Sequence, residues 1–98
     1  MSVSVGTIPD TWVGSIVLSL AGRDSKRLFV IVSSDEENGY VYIADGKLRQ
    51  IQHPKKKKIK HIQVLQVDEG SFALACKESA VTDKMIQNIL ASYASKQR

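Results

Sequence analysis

Residues Ser15 to Leu20 alternate, with Ile16, Leu18 and Leu20 on one side and Ser15, Val17 and Ser19 on the other, the period-two pattern of a β-strand. Ala21-Gly22-Arg23-Asp24-Ser25 interrupts it with the small and polar residues of a turn, and Leu28 to Val32 follows as a second, more fully buried strand. A polar turn from Asp35 to Gly39 ends in Asn-Gly, and Tyr40-Val41-Tyr42-Ile43 is aromatic and β-branched in the manner of a third strand. Asp45-Gly46 makes another tight turn, and Lys47 to Gln52 is expected as a short fourth strand.

The lysines from Lys55 to Lys58 follow His53-Pro54, where proline removes a ladder donor, so the segment is expected to be an exposed loop. Ile62, Val64 and Val67 resume an apolar pattern. Asp68 to Ser71 turns the chain, and Phe72, Leu74 and Cys76 alternate, which predicts a second hairpin with an additional strand over 71–76. The pattern then changes period: Met85, Ile86, Ile89, Leu90 and Tyr93 recur at helical spacing behind Thr82 as N-cap and Asp83 in the first turn. A helix is expected from about Asp83 to Ala94, within a segment 82–95, with Val81 stapled against Ile86. Short antiparallel strands joined by tight turns curl through their right-handed twist into a small, partly open barrel, with the helix covering one opening or edge.

A chain of 98 residues is the size of one compact domain, so 1–98 is expected to be a single domain whose core holds by packing. No stretch approaches the roughly 20 apolar residues of a membrane span, and the first residues lack the basic start and apolar centre of a signal peptide, so a cytoplasmic location is expected. One cysteine, Cys76, excludes an internal disulfide and, with two histidines, gives no credible zinc site. Asp35, Glu36 and Glu37 are consecutive in a turn with no opposing acid, and no phosphate loop or nucleophile motif is present; no catalytic role, metal or cofactor is expected.

The charge distribution changes the picture most. The net charge is +4, but Lys47, Arg49, Lys55, Lys56, Lys57, Lys58 and Lys60 fall between Lys47 and His61 with no acid among them, leaving the remainder net acidic. A clustered positive field points to an anionic partner, of which nucleic acid is the commonest. Arg23, Lys26 and Arg27 form a second basic group on the first turn.

The run Val13 to Asp24 followed by Leu28 to Val32 resembles the KOW motif, in which a glycine, a short hydrophobic strand, a Gly-containing turn and a second hydrophobic strand occur within this span. The closer similarity is to bacterial KOW-domain RNA-binding proteins related to large-subunit ribosomal proteins of archaea and eukaryotes. They share the Gly22-Arg23-Asp24 turn, the Phe29-Val30 pair, a stretch like Ile43 to Arg49 and one like Pro54 to His61. The resemblance covers about Val13 to Gln63 and implies an SH3-like β-barrel over 13–67 with a C-terminal α-helix, mainly β in class. It also implies binding to RNA, ribosomal RNA above all, through the first turn and the basic segment, with ribosomal proteins as further partners. Such proteins often carry a second glycine in the first turn where this chain has Lys26, so a positive backbone angle there would strain Lys26 unless the turn differs.

The expected RNA contacts are therefore Arg23, Lys26, Arg27, Lys47, Arg49, Lys55, Lys56, Lys57, Lys58, Lys60 and His61. Each cation can neutralise a phosphate and release its condensed counterion, and the guanidinium of Arg23 suits a bidentate phosphate contact unless Asp24 or Asp45 takes it. Tyr40 and Tyr42 could stack on bases, but packing in the core or against an edge is the favoured role for them. A monomer with no membrane partner is expected. The competing function is a protein-interaction adaptor, in which the SH3-like surface or the apolar side of the helix binds an acidic partner. Burial of Ile86, Ile89, Leu90 and Tyr93 would remove its best site.

Overall fold

The computed structural model describes residues 13–22, 26–35, 37–67, 72 and 81–96. Five antiparallel strands, β1 (Ile16–Ser19), β2 (Leu28–Asp35), β3 (Tyr40–Ala44), β4 (Lys55–Lys58) and β5 (Ile62–Gln66), form one sheet in the order β4-β3-β2-β1-β5. The 3-10 turn Ile59–His61 joins β4 to β5, and the helix α1 (Asp83–Lys96) comes later in the chain. The mainly β class with a C-terminal helix agrees with the sequence. A four-strand meander whose fifth strand returns to the first is consistent with an SH3-like barrel.

At β1 and β2 both sheet faces are covered, and this explains why β1 is richer in apolar residues than a strand with one wet face. Val17, Phe29, Ile31, Val41, Ile43 and Ile62 form one core on the concave side. Ile16, Val30, Ala44, Phe72 and Ile86 form a second on the opposite side, where Ile89, Leu90 and Tyr93 of α1 pack against the sheet. Fully burying each large aliphatic or aromatic side chain contributes about 1.5 to 3 kcal/mol, so the two cores supply most of the driving force. Irregularities between Ile16 and Val17 in β1 and between Ile31 and Ser33 in β2 let the sheet bend. It bends far enough for Lys57 on β4 to reach Ala21, just past the end of β1.

Two expectations are corrected. Lys47 to Gln52 is not a strand but a succession of bends and turns. The Asp45 carboxylate accepts the amides of Lys47 and Arg49, both at 2.9 Å, while the amides of Asp45 and Gly46 donate to the Arg49 carbonyl. Backbone groups satisfied inside the loop are withdrawn from any ladder. The fourth strand is instead the lysine run, which was expected to be a loop: Lys58, Lys57, Lys56 and Lys55 pair with Tyr40, Val41, Tyr42 and Ile43. Strand alternation sends successive ammonium groups to opposite sides, which relieves the repulsion, and lysines suit an edge strand because they discourage pairing with another chain. β5 pairs with β1, Ser19 facing Ile62 and Val17 facing Val64. The expected partner strand over 71–76 lies outside the described residues except for Phe72, whose backbone is helical.

The helix matches its sequence pattern. The Met85 amide donates to Thr82 Oγ1 at 3.3 Å, the expected N-cap, and Val81 packs into the same core as Ile86. The start of α1 is also pinned to the β3–β4 loop. Asp83 Oδ1 accepts the Ile51 amide at 2.7 Å, and Gln87 Nε2 donates to the Gly46 carbonyl at 2.7 Å. Gly46 sits at φ +79°, and a Cβ there would overlap the Asp83 carbonyl oxygen, so only glycine permits this approach. Among the described residues, no helix is long and apolar enough to cross a membrane.

Candidate nucleic-acid interface

The basic residues lie on four segments: the β1–β2 turn, the β3–β4 loop, β4 and the 3-10 turn. In the first, the Lys26 amide donates to the Ser19 carbonyl at 2.7 Å and the Ser19 amide to the Arg27 carbonyl at 3.0 Å, closing the end of the hairpin. Lys26 takes φ +67°, the left-handed conformation associated with glycine at that place, and its side chain is exposed. Lys26 therefore holds a backbone angle that glycine adopts without strain, and carries a cation there. Arg23 lies outside the described residues.

Three polar contacts draw the other segments to this turn. The Leu20 amide donates to the His61 carbonyl at 2.8 Å, bringing up the 3-10 turn with exposed Lys60. Lys57 Nζ donates to the Ala21 carbonyl at 2.7 Å, bringing up β4. Arg27 Nη2 bonds Asp45 Oδ2 at 2.9 Å, bringing up the loop that holds exposed Lys47 and Arg49. The segments that carry the basic groups, scattered along the sequence, are thus tied to one turn.

They do not all serve alike. Lys57 is only 8% exposed, and its ammonium is engaged by the Ala21 carbonyl, so it braces the sheet rather than facing a ligand. Arg27 is partly occupied too, paired with Asp45 and lying over the Phe29 ring at 5.7 Å. Asp45 was a candidate partner for Arg23; the guanidinium it binds among the described residues is that of Arg27. Lys56 and Lys58 project from β4 on the side opposite Lys57 and are exposed, whereas Lys55 and His61 are half-buried. Of the expected contact residues that are described, those facing outward are therefore Lys26, Lys47, Arg49, Lys56, Lys58 and Lys60.

The sequence reading placed Tyr40 and Tyr42 in the core or against an edge. Both are half-buried, and neither belongs to either core cluster. Lys58 and Lys56 face them across the β3–β4 ladder, and Lys56 Nζ stands 4.3 Å from the centroid of the Tyr40 ring. The alternation of Tyr40 and Tyr42 was visible in the sequence, but the strand at Lys55–Lys58 and its register with them were not. No group of His, Cys, Asp or Glu suited to hold a metal occurs among the described residues. No protein-family model matches the chain, and no curated protein matches it.

Proposed function

We propose that the chain is a non-catalytic RNA-binding protein of the KOW, SH3-like kind that works in the cytoplasm on ribosomal RNA. The observation that carries the reading is the one-sided display of Lys56 and Lys58 on an edge strand, joined through the β1–β2 turn to the segments of Lys26, Lys47, Arg49 and Lys60. Cations on a rigid scaffold neutralise backbone phosphates and release counterions, while the shape of the scaffold selects which folded RNA it fits. A-form helices are read by shape and 2′-hydroxyls more than by base edges, so a small basic module needs no base code to choose a site. Of the four apolar helix residues on which the adaptor alternative rests, Ile86 is buried against the sheet while Ile89, Leu90 and Tyr93 are half-buried, so that alternative loses part of its apolar surface and keeps the rest.

Sedimentation of a host lysate through a sucrose gradient, with and without ribonuclease, tests the proposal. Migration with the large subunit that ribonuclease abolishes is expected. Recovery only at the top of both gradients would refute association with ribosomes.

A further inference from the structure

The face of β3 and β4 opposite Lys57 carries two half-buried aromatic rings and two exposed cations in a regular lattice. Residues two apart on a strand stand roughly 6.6 to 6.8 Å from each other, so Tyr40 and Tyr42 form one row and Lys58 and Lys56 a parallel row beside it. The same side of β3 is covered at Ala44, which packs with Ile86 of α1, but neither tyrosine is part of that core. Beyond Tyr40 lies a shallow cleft of about 470 Å³ lined by Asn38, Gly39, Tyr40, Lys58, Ile59 and Lys60. On the opposite flank Asp35 pairs with Tyr40 across the β2–β3 ladder and accepts the Asn38 side-chain amide at 2.9 Å. That acidic flank steers phosphates away from β2 and toward the lysines of β4.

From this arrangement we infer that the face binds unpaired nucleotides, with bases stacked on Tyr42 and Tyr40 and their phosphates held by Lys56, Lys58 and Lys60. The inference rests on the RNA-binding reading and narrows it from RNA in general to single-stranded or loop segments. A duplex buries its base faces in its own stack and can use only the lysines; an unpaired strand can use the rings as well. The ammonium of Lys56 lies over Tyr40 in the free protein. A base arriving on that ring takes its place, and the released ammonium moves to the adjoining phosphate. Lys58 and Lys60 flank the cleft, where the next nucleotide along the strand fits.

Fluorescence anisotropy tests this with two probes: an unstructured pyrimidine-rich RNA of about a dozen nucleotides, within the span one small barrel covers, and a blunt RNA duplex of equal length. Tyr40→Leu and Tyr42→Leu are each expected to weaken single-strand binding about tenfold, equivalent to about 1.4 kcal/mol, and to leave duplex binding and the salt slope unchanged. Tyr42→Phe keeps the ring and is expected to bind like the wild type. Photocrosslinking of wild-type protein to a 4-thiouridine version of the single strand is expected to mark the peptide carrying Tyr40 and Tyr42, whether or not the leucine variants fold. Unaltered single-strand affinity in folded leucine variants, or crosslinks confined to other peptides, overturns the stacking face. If Lys56→Ala still lowers the salt slope in that case, RNA binding stands without it. Wild-type protein that binds neither probe overturns both readings.

Discussion

Four consecutive lysines invite the assumption that each does the same thing, and the strand geometry of β4 predicts that they do not. Lys57 points to the concave side, is 8% exposed and donates to the Ala21 carbonyl at 2.7 Å, whereas Lys56 and Lys58 point outward. Lys57→Ala removes a hydrogen bond from a charged donor, worth about 1.5 to 3 kcal/mol, and takes the lower end because Ala21 is half-buried and water can reach its carbonyl. It also strips the buried stem, at about 0.8 kcal/mol for each methylene that was truly covered. Together these give a loss of about 2 to 3 kcal/mol, against about 0.5 kcal/mol or less at the exposed positions. In urea, with a slope typical of a small domain, the midpoint for Lys57→Ala falls by about 1 to 2 M with the slope unchanged. Lys57→Met keeps most of the stem and recovers part of the loss, which isolates the share of the ammonium. RNA binding inverts the order: Lys56→Ala and Lys58→Ala each lower the slope of log affinity against log salt by about 0.7 to 0.9, while Lys57→Ala leaves it unchanged. Equal stability losses at positions 56, 57 and 58, or a Lys57→Ala midpoint within error of wild type, would refute the assignment of Lys57 as a brace.

Two further substitutions probe the turns. Gly46→Ala places a Cβ against the Asp83 carbonyl at a left-handed position, and the combined backbone and overlap costs of about 2 to 4 kcal/mol lower Tm by about 10 °C or more in thermal unfolding; a smaller drop would mean that the loop is not seated on the helix. Lys26→Gly relieves the strain at φ +67° and raises stability by up to about 1 kcal/mol, while Lys26→Val, β-branched, lowers it; a Gly variant less stable than wild type in chemical denaturation contradicts the left-handed turn.

What could be read from the sequence follows from how local each decision is. β1, β2 and β3 carry their own apolar patterns, and the turn between β2 and β3 is built from its own residues: Asn38 bonds the Asp35 carboxylate and Gly39 takes φ +73°. The helix announces itself through its period and through Thr82. β4 was hidden because nothing in Lys55–Lys58 favours a strand; it forms because β3 offers an unpaired edge and Ala21 offers an acceptor for Lys57. Likewise β5 was visible as an apolar stretch, but its partner, β1, lies far back along the chain. In the candidate site the charge was legible and its division of labour was not. Separating Lys57 from Lys56 and Lys58, giving Asp45 to Arg27, and setting Lys56 over Tyr40 all depend on the register of distant segments.

The position of β1 has a consequence for the birth of the molecule. Among the described residues it is the first strand synthesised, yet it ends between β2 and β5, so its second edge has no neighbour until Gln66 has been added opposite Ile16. At ordinary translation speeds that wait lasts roughly seconds, comparable with the slower folding times of barrels rich in distant contacts. During it, the backbone beside Ile16, Val17 and Leu18 is a ready template for any other extended chain. A transcript cut after Lys58 would retain most of the exposed lysines and still yield no smaller RNA binder, because the open edge of β1 would commit the fragment to aggregation.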